Sequence, residues 1–245
     1  MTTQFMVDFR YNGRFAGNPG YAFYGVLCGR FSSETANFLH EQDSLLLHQY
    51  VVFSNTQQSG KWYIYCYDDK IASEVKQALK DDLLTVKNIP IQLQSINENI
   101  LPEGEKLTEI AEQLFGDARV YQMVFHSAVV FKQNGMNVNM PTVRLIYQSM
   151  LSRWSHLTGN CKADDDVMDA LLKGTHISTY KLESSYYPMK GGSVSGFRGR
   201  LTLSLRLAEP LRIFVRDLLL YSERTGIGAK TALGMGGNTV SVVSK

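Results

Sequence analysis

Between residues 226 and 237 the chain reads Gly-Ile-Gly-Ala-Lys-Thr-Ala-Leu-Gly-Met-Gly-Gly, five glycines with a lysine and a threonine in twelve positions. Glycine lets the backbone approach a partner without a Cβ and take up positive φ, so such a run can bring several N–H groups to one anion while lysine supplies a cation. Lys230, Thr231 and the flanking Arg224 shift the reading from a mobile hairpin connection to a phosphate contact that includes Gly226, Gly228, Gly234 and Gly236. Two well-known phosphate loops are excluded. The Walker pattern needs glycines where this chain has Ala229 and Arg224, and the dinucleotide pattern G-x-G-x-x-G ends on Thr231 and follows a helix instead of a strand.

Acid–base chemistry near neutral pH points to histidine, of which there are five: His40, His48, His126, His156 and His176. Spacing alone assigns none of them a partner. Asp164, Asp165, Asp166 and Asp169 lack the alternate-position ligands and glycine of a calcium loop, so no metal is expected and they read as a solvated loop or a helix N-terminus. The aromatic pairs Trp62-Tyr63 and Tyr186-Tyr187 have the chemistry to stack on bases, although on strands one face of each pair is expected to be core.

The elements that must position these groups follow one order twice. Phe5 to Tyr11 alternates as a strand; Gly20 to Phe31 and Ser32 to His40 read as helical; Leu45 to Phe53 and Lys61 to Tyr67 are strands, Ile71 to Leu84 a helix and Ile89 to Ile100 a strand. After a break at Leu101–Leu107 and a short helix from Thr108 to Phe115, a strand spans Val120 to Phe131. Val143, Ile146, Tyr147, Met150, Leu151, Trp154 and Leu157 repeat at helical spacing, with Pro141 suited to the first turn and Gly159 to the C-cap. Strands at His176–Tyr187 and Val194–Leu207, a helix from Pro210 to Arg224 and a last strand from Asn238 to Val243 complete the second set. The order strand, helix, strand, strand, helix, strand predicts an α+β chain of two tandem ferredoxin-like domains with antiparallel sheets, residues 1–117 and 118–245.

A length of 245 residues fits two such units, and 44% hydrophobic residues suffice for their cores. Cys28, Cys66 and Cys161 are odd in number and far apart, so a reducing, cytoplasmic compartment is expected. There is neither a basic start followed by an apolar run nor a long uncharged apolar stretch, and no membrane partner is expected. The net charge of +2 conceals an asymmetry: from Lys190 to Lys230 eight basic residues face three acidic ones, whereas from Tyr67 to Arg119 eleven acids face six bases. A polyanion would seek the C-terminal part.

The run Gly196-Phe-Arg-Gly-Arg-Leu-Thr-Leu-Ser-Leu205, followed by a helix and by Gly226 to Gly236, resembles the C-terminal signature of the CRISPR-associated repeat-cleaving endoribonucleases of the RAMP superfamily. Phe125 to Lys132, Leu145 to Trp154, Phe38-Leu-His-Glu41 and Tyr50 to Ser54 extend the likeness over most of the chain. The resemblance implies a metal-independent, cofactor-free endoribonuclease that binds CRISPR repeat RNA and cuts it by attack of a 2′-hydroxyl, leaving a 2′,3′-cyclic phosphate and a 5′-hydroxyl. His40 matches the family's catalytic histidine and Tyr24 its tyrosine, while the lysine usually found shortly after the histidine is missing, with His48 or Gln49 near its position. RNA contact is expected from Arg198, Arg224, Lys230, Thr231 and the loop glycines. Other CRISPR effector subunits are further expected partners, the protein being a monomer or homodimer; the alternative is an RNA-holding effector subunit without catalysis.

Overall fold

The computed structural model describes residues 1–41, 46–54, 56–159 and 165–243, apart from the side chains of residues 40 and 41. In the first half, β1 (Thr2–Tyr11), α1 (Gly20–Cys28), α2 (Ser33–Glu41), β2 (Leu47–Phe53), β3 (Ser59–Cys66), α3 (Asp69–Ala78), β4 (Leu83–Val86) and β5 (Ile89–Leu101) follow one another. Their antiparallel sheet has the order β2-β3-β1-β5-β4. Phe5, Val7 and Phe9 alternate to one face of β1 and meet Phe23 and Leu27 of α1 and Ile71 and Val75 of α3 in one apolar core. Asp68 fixes the start of α3 by accepting the Ile71 N–H at 3.0 Å.

The second half repeats the pattern after the linker helix α4 (Glu105–Phe115): β6 (Val120–Val129), a small hairpin of β7 (Phe131–Gln133) and β8 (Met136–Val138), α5 (Val143–Thr158), α6 (Asp165–Gly174), β9 (Thr175–Met189), β10 (Gly192–Leu205), α7 (Glu209–Thr225) and β11 (Asn238–Val242). The sheet order is β11-β6-β10-β9, again antiparallel. This is the strand order of the first sheet without its added edge strand, and the chain is two ferredoxin-like folds in tandem. Thr142 caps α5 by accepting the Leu145 N–H, and Gly159 ends it in the left-handed region at φ 70°. Pro141 therefore stands before the cap and not in the first turn.

Two elements differ from the sequence reading, while the acidic run follows its helix N-terminus alternative. The predicted helix Ile71–Leu84 stops at Ala78, and Leu84 and Val86 instead point inward from β4, which turns into β5 through Lys87 and Asn88 at φ 49° and 63°. The acidic run opens α6, with Asp165 and Asp166 in its first turn; Asp164 and Cys161 lie outside the described residues. Helix α4, expected to close the first domain, buries Leu107, Ala111 and Phe115 in the core of the second. Among the described residues no helix is long and apolar enough to cross a membrane.

Candidate functional site

The glycine-rich loop is the wedge between the two folds. Ile227 is buried in the second core, Ala232 in the first, and Met235 in a small cluster between them with Ala128, Val130 and Tyr187. A loop contributing to both cores must approach backbone on either side, and this is where its glycines are required. A Cβ on Gly228 would overlap the carbonyl oxygen of Val130, one on Gly236 that of Ile227, and one on Gly237 the ring of Tyr50. Gly226, Gly228, Gly234 and Gly236 also hold φ between 73° and 98°, where other residues are strained. Lys230 adopts φ 63° without being glycine, a sparsely used conformation for a long side chain.

Most of the loop's amides are already bonded. Ile227 donates to Gly236, Gly228 to the hydroxyl of Ser149 at 2.7 Å, Ala229 to Val130, Gly236 to Ala128, and Gly237 to the hydroxyl of Ser127. The expected cradle of glycine N–H groups is corrected accordingly: the glycines serve close packing, and their N–H groups are saturated by the protein itself. Arg224 is corrected likewise. It is 7% exposed and donates to the Pro102 carbonyl, while its own carbonyl accepts the hydroxyl of Tyr67 at 2.6 Å. Thr231 is 1% exposed; its hydroxyl accepts from Arg153 at 2.7 Å. Lys230 is half-buried, and Arg198 stands exposed on β10, 2.6 Å from Glu183.

From the other side β2 grips the loop. Gln49 donates to the carbonyls of Gly20 at 3.0 Å and Ala232 at 3.1 Å, and its oxygen accepts the indole N–H of Trp62 at 2.8 Å. His48 is fully buried, with Nδ1 3.1 Å from the Thr231 carbonyl. That contact makes Nδ1 the protonated nitrogen and leaves Nε2 buried without a partner. Burial, countered by the Thr231 bond and reinforced by nearby Arg153, pushes the His48 pKa down to about 3. His48 is therefore a buried, neutral imidazole at the seam, and the expectation that it is catalytic is corrected on that ground.

Of the remaining candidates, Tyr24 lies half-buried on α1 beside the first core and in contact with the Cys28 thiol, whose pKa burial raises. His40 is near the end of α2, and its side chain lies outside the described residues. His126 bonds Thr239 at 2.9 Å and stacks parallel to Tyr50, with ring centres 6.1 Å apart. Each aromatic pair presents one member outward: Trp62 and Tyr187 are core, Tyr63 is half-exposed, and Tyr186 is 72% exposed.

Three polar residues that the sequence did not single out gather next to the loop: Arg153 on α5, Ser149 one turn before it, and Lys132 on the β7–β8 hairpin. With Gly228 and Ala229 they line a cleft of about 770 Å³. The signal that could have found two of them was helical spacing: Ser149 and Arg153 share a face next to the apolar stripe.

Paired antiparallel β-α-β-β-α-β sheets joined by a glycine-rich wedge define a tandem ferredoxin-like protein with a basic second half. The family model "CRISPR-associated endoribonuclease Cas6" matches residues 123–237, the stretch from β6 to the end of the loop. The CRISPR-associated endoribonuclease Cas6 of Streptococcus thermophilus is 27% identical over 223 residues, covering 88% of either chain. The Mycobacterium tuberculosis protein of the same name is 22% identical over 218 residues, 87% of this chain and 68% of that one. A Thermus thermophilus Cas6 product complex shares the fold at a TM-score of 0.74 and 19% identity, over 98% of this chain and 100% of that one. The resemblance carried by the sequence motifs is thus borne out along most of the chain.

Proposed function

We propose that this protein is an endoribonuclease that binds CRISPR repeat RNA and cuts it without a metal ion. The observation that carries the reading is the matched segment itself: the loop that bears the family signature is built into both folds at once and joins the first fold, which carries the candidate catalytic residues, to the second. The relatives named Cas6 endoribonucleases and the Cas6 product complex support the substrate class.

In the proposed step His40 takes the proton of a 2′-hydroxyl or delivers one to the departing oxygen. The 2′-oxygen bonds to phosphorus as the P–O5′ bond breaks, the 5′-oxygen gains a proton, and a 2′,3′-cyclic phosphate and a 5′-hydroxyl remain. Tyr24 orients the nucleophile or phosphate. His48 is left out of this set because it is buried and neutral. On the RNA side we retain Lys230 and Arg198, whose surface pairing with Glu183 is weak enough to exchange for a phosphate. We place the division between the two domains near residue 103, since α4 packs on the second core.

One observation favours a second reading, an RNA-holding subunit without catalysis: Gln49, near the place of the family's lysine, is wholly committed to the seam. Incubating the purified protein with its cognate repeat RNA in EDTA decides between them. Discrete products are expected, and binding without products would favour the second reading.

A further inference from the structure

The described arginines that are at most 8% exposed face an acceptor within the protein. Arg212 lies 2.7 Å from Asp117, Arg216 is 3.7 Å from Asp217 and 3.9 Å from Glu112, and Arg224 donates to the Pro102 carbonyl. Arg153 has a different setting. It is half-buried, its one hydrogen bond among the described residues is the 2.7 Å contact to the Thr231 hydroxyl, and no described carboxylate lies within ion-pairing distance. A guanidinium has five N–H donors, and withdrawing it from water without a counter-charge is unfavourable. Arg153 also lines the cleft, with the rings of Tyr67 and Tyr221 near its guanidinium.

That cleft lies between α5, the β7–β8 hairpin and the loop segment Gly228–Ala229, and among the described residues its lining contains two charged side chains, Arg153 and Lys132, and no acid. Ser149 lines it too, and because its oxygen accepts the Gly228 N–H, its hydroxyl proton is free to be donated elsewhere. A planar fork, a mobile ammonium and a hydroxyl donor around one opening suit a phosphodiester better than an apolar ligand. We propose that this cleft is a phosphate subsite for the RNA strand, anchored by Arg153 and completed by Lys132 and Ser149. The proposal rests on the RNA-binding reading above and adds a site that the loop's saturated amides do not provide. Thr231 links the two regions, since its hydroxyl fixes the guanidinium while its carbonyl holds His48, and the subsite is thereby tied to the seam with the first fold.

The test is a salt titration of repeat-RNA affinity with wild type, Arg153→Gln, Arg153→Lys and Lys132→Gln, combined with a scan of singly placed methylphosphonate linkages. Arg153→Gln is expected to weaken binding roughly ten- to a hundredfold, the usual range for a hydrogen bond to a charged group, and to lower the slope of log affinity against log salt by about 0.7 for one single-strand phosphate. Arg153→Lys should restore the slope but only part of the affinity, since charge returns without the fork. In wild type one neutral linkage should be costly; in Arg153→Gln the same linkage should cost nothing, a loss that mere structural damage would not produce. Lys132 is exposed on the hairpin, so its variant remains informative even if replacing Arg153 disturbs folding. Unchanged slopes in both variants, or a linkage penalty that persists in Arg153→Gln, would overturn the subsite. If wild type cuts the repeat in EDTA while these variants behave like it, the subsite alone fails; wild type that neither binds nor cuts takes both readings down.

Discussion

Nδ1 of His48, on the second strand of the first fold, lies 3.1 Å from the carbonyl oxygen of Thr231, 183 residues later in the glycine-rich loop of the second. Burial holds this imidazole neutral with a pKa near 3, against 6.5 when solvated. Between those values the unfolded chain binds more protons than the folded one, so stability falls as the pH drops from about 6.5 toward 3. His48→Gln should flatten that acid-side slope while costing about 1–3 kcal/mol at neutral pH through poorer packing. Urea denaturation from pH 4.5 to 7.5 measures both, and an unaltered slope in the variant would contradict the assignment.

Glu223 gives the opposite sign. Its carboxyl is largely buried, accepts the Val240 N–H, and has its pKa raised by that burial from 4.5 to about 7. The folded state therefore keeps a proton that the unfolded state has lost, and this contribution declines as the pH rises from about 4.5 through 7. Glu223→Gln retains an acceptor for Val240 and should be more stable than wild type at pH 8, with little difference at pH 4.5. Denaturation midpoints at the two values check it.

The wedge role of the loop makes a stability prediction that differs between glycines. Gly228→Ala sets a Cβ against the Val130 carbonyl at φ 85° and should destabilise by about 1–3 kcal/mol. Gly25, inside α1 with nothing near its Cβ position, should tolerate alanine and gain roughly 0.5–1 kcal/mol of helix stability. Thermal unfolding of the two variants decides, and equal effects would mean that the loop is not packed as described.

The two folds were legible because long strands alternate and α5 and α7 carry clear apolar stripes and end signals. The same rule misassigned Leu83 and Leu84, since Ile71, Val75 and Ala78 do keep helical spacing and a four-residue strand is too short to announce itself. The chemistry of the loop was legible only in part. Glycine composition reveals close approach but not what is approached, and here it is backbone of both folds before any anion. His48 and Gln49 look like polar strand residues, and Arg153 like a solvated helix residue; their burial arises where two domains meet, which no local period records.

For catalysis, His40→Ala should lower the cleavage rate about 10²- to 10⁴-fold, the usual worth of a general acid or base, and leave repeat affinity within about twofold of wild type. Single-turnover cleavage and filter binding on the same preparation separate the two effects. His48→Gln, by contrast, should leave the pH profile of cleavage unmoved, because a buried neutral ring does not titrate in the working range.

Metal-free attack by a 2′-hydroxyl can be decided with a repeat RNA carrying a single deoxyribose at the cleavage site, incubated with wild-type protein in EDTA beside the all-ribose strand. Both strands are expected to bind, and only the all-ribose strand should be cut, to products ending in a 2′,3′-cyclic phosphate and a 5′-hydroxyl. Cleavage of the deoxy-substituted strand, or cleavage of either strand only when magnesium is supplied, would contradict this chemistry.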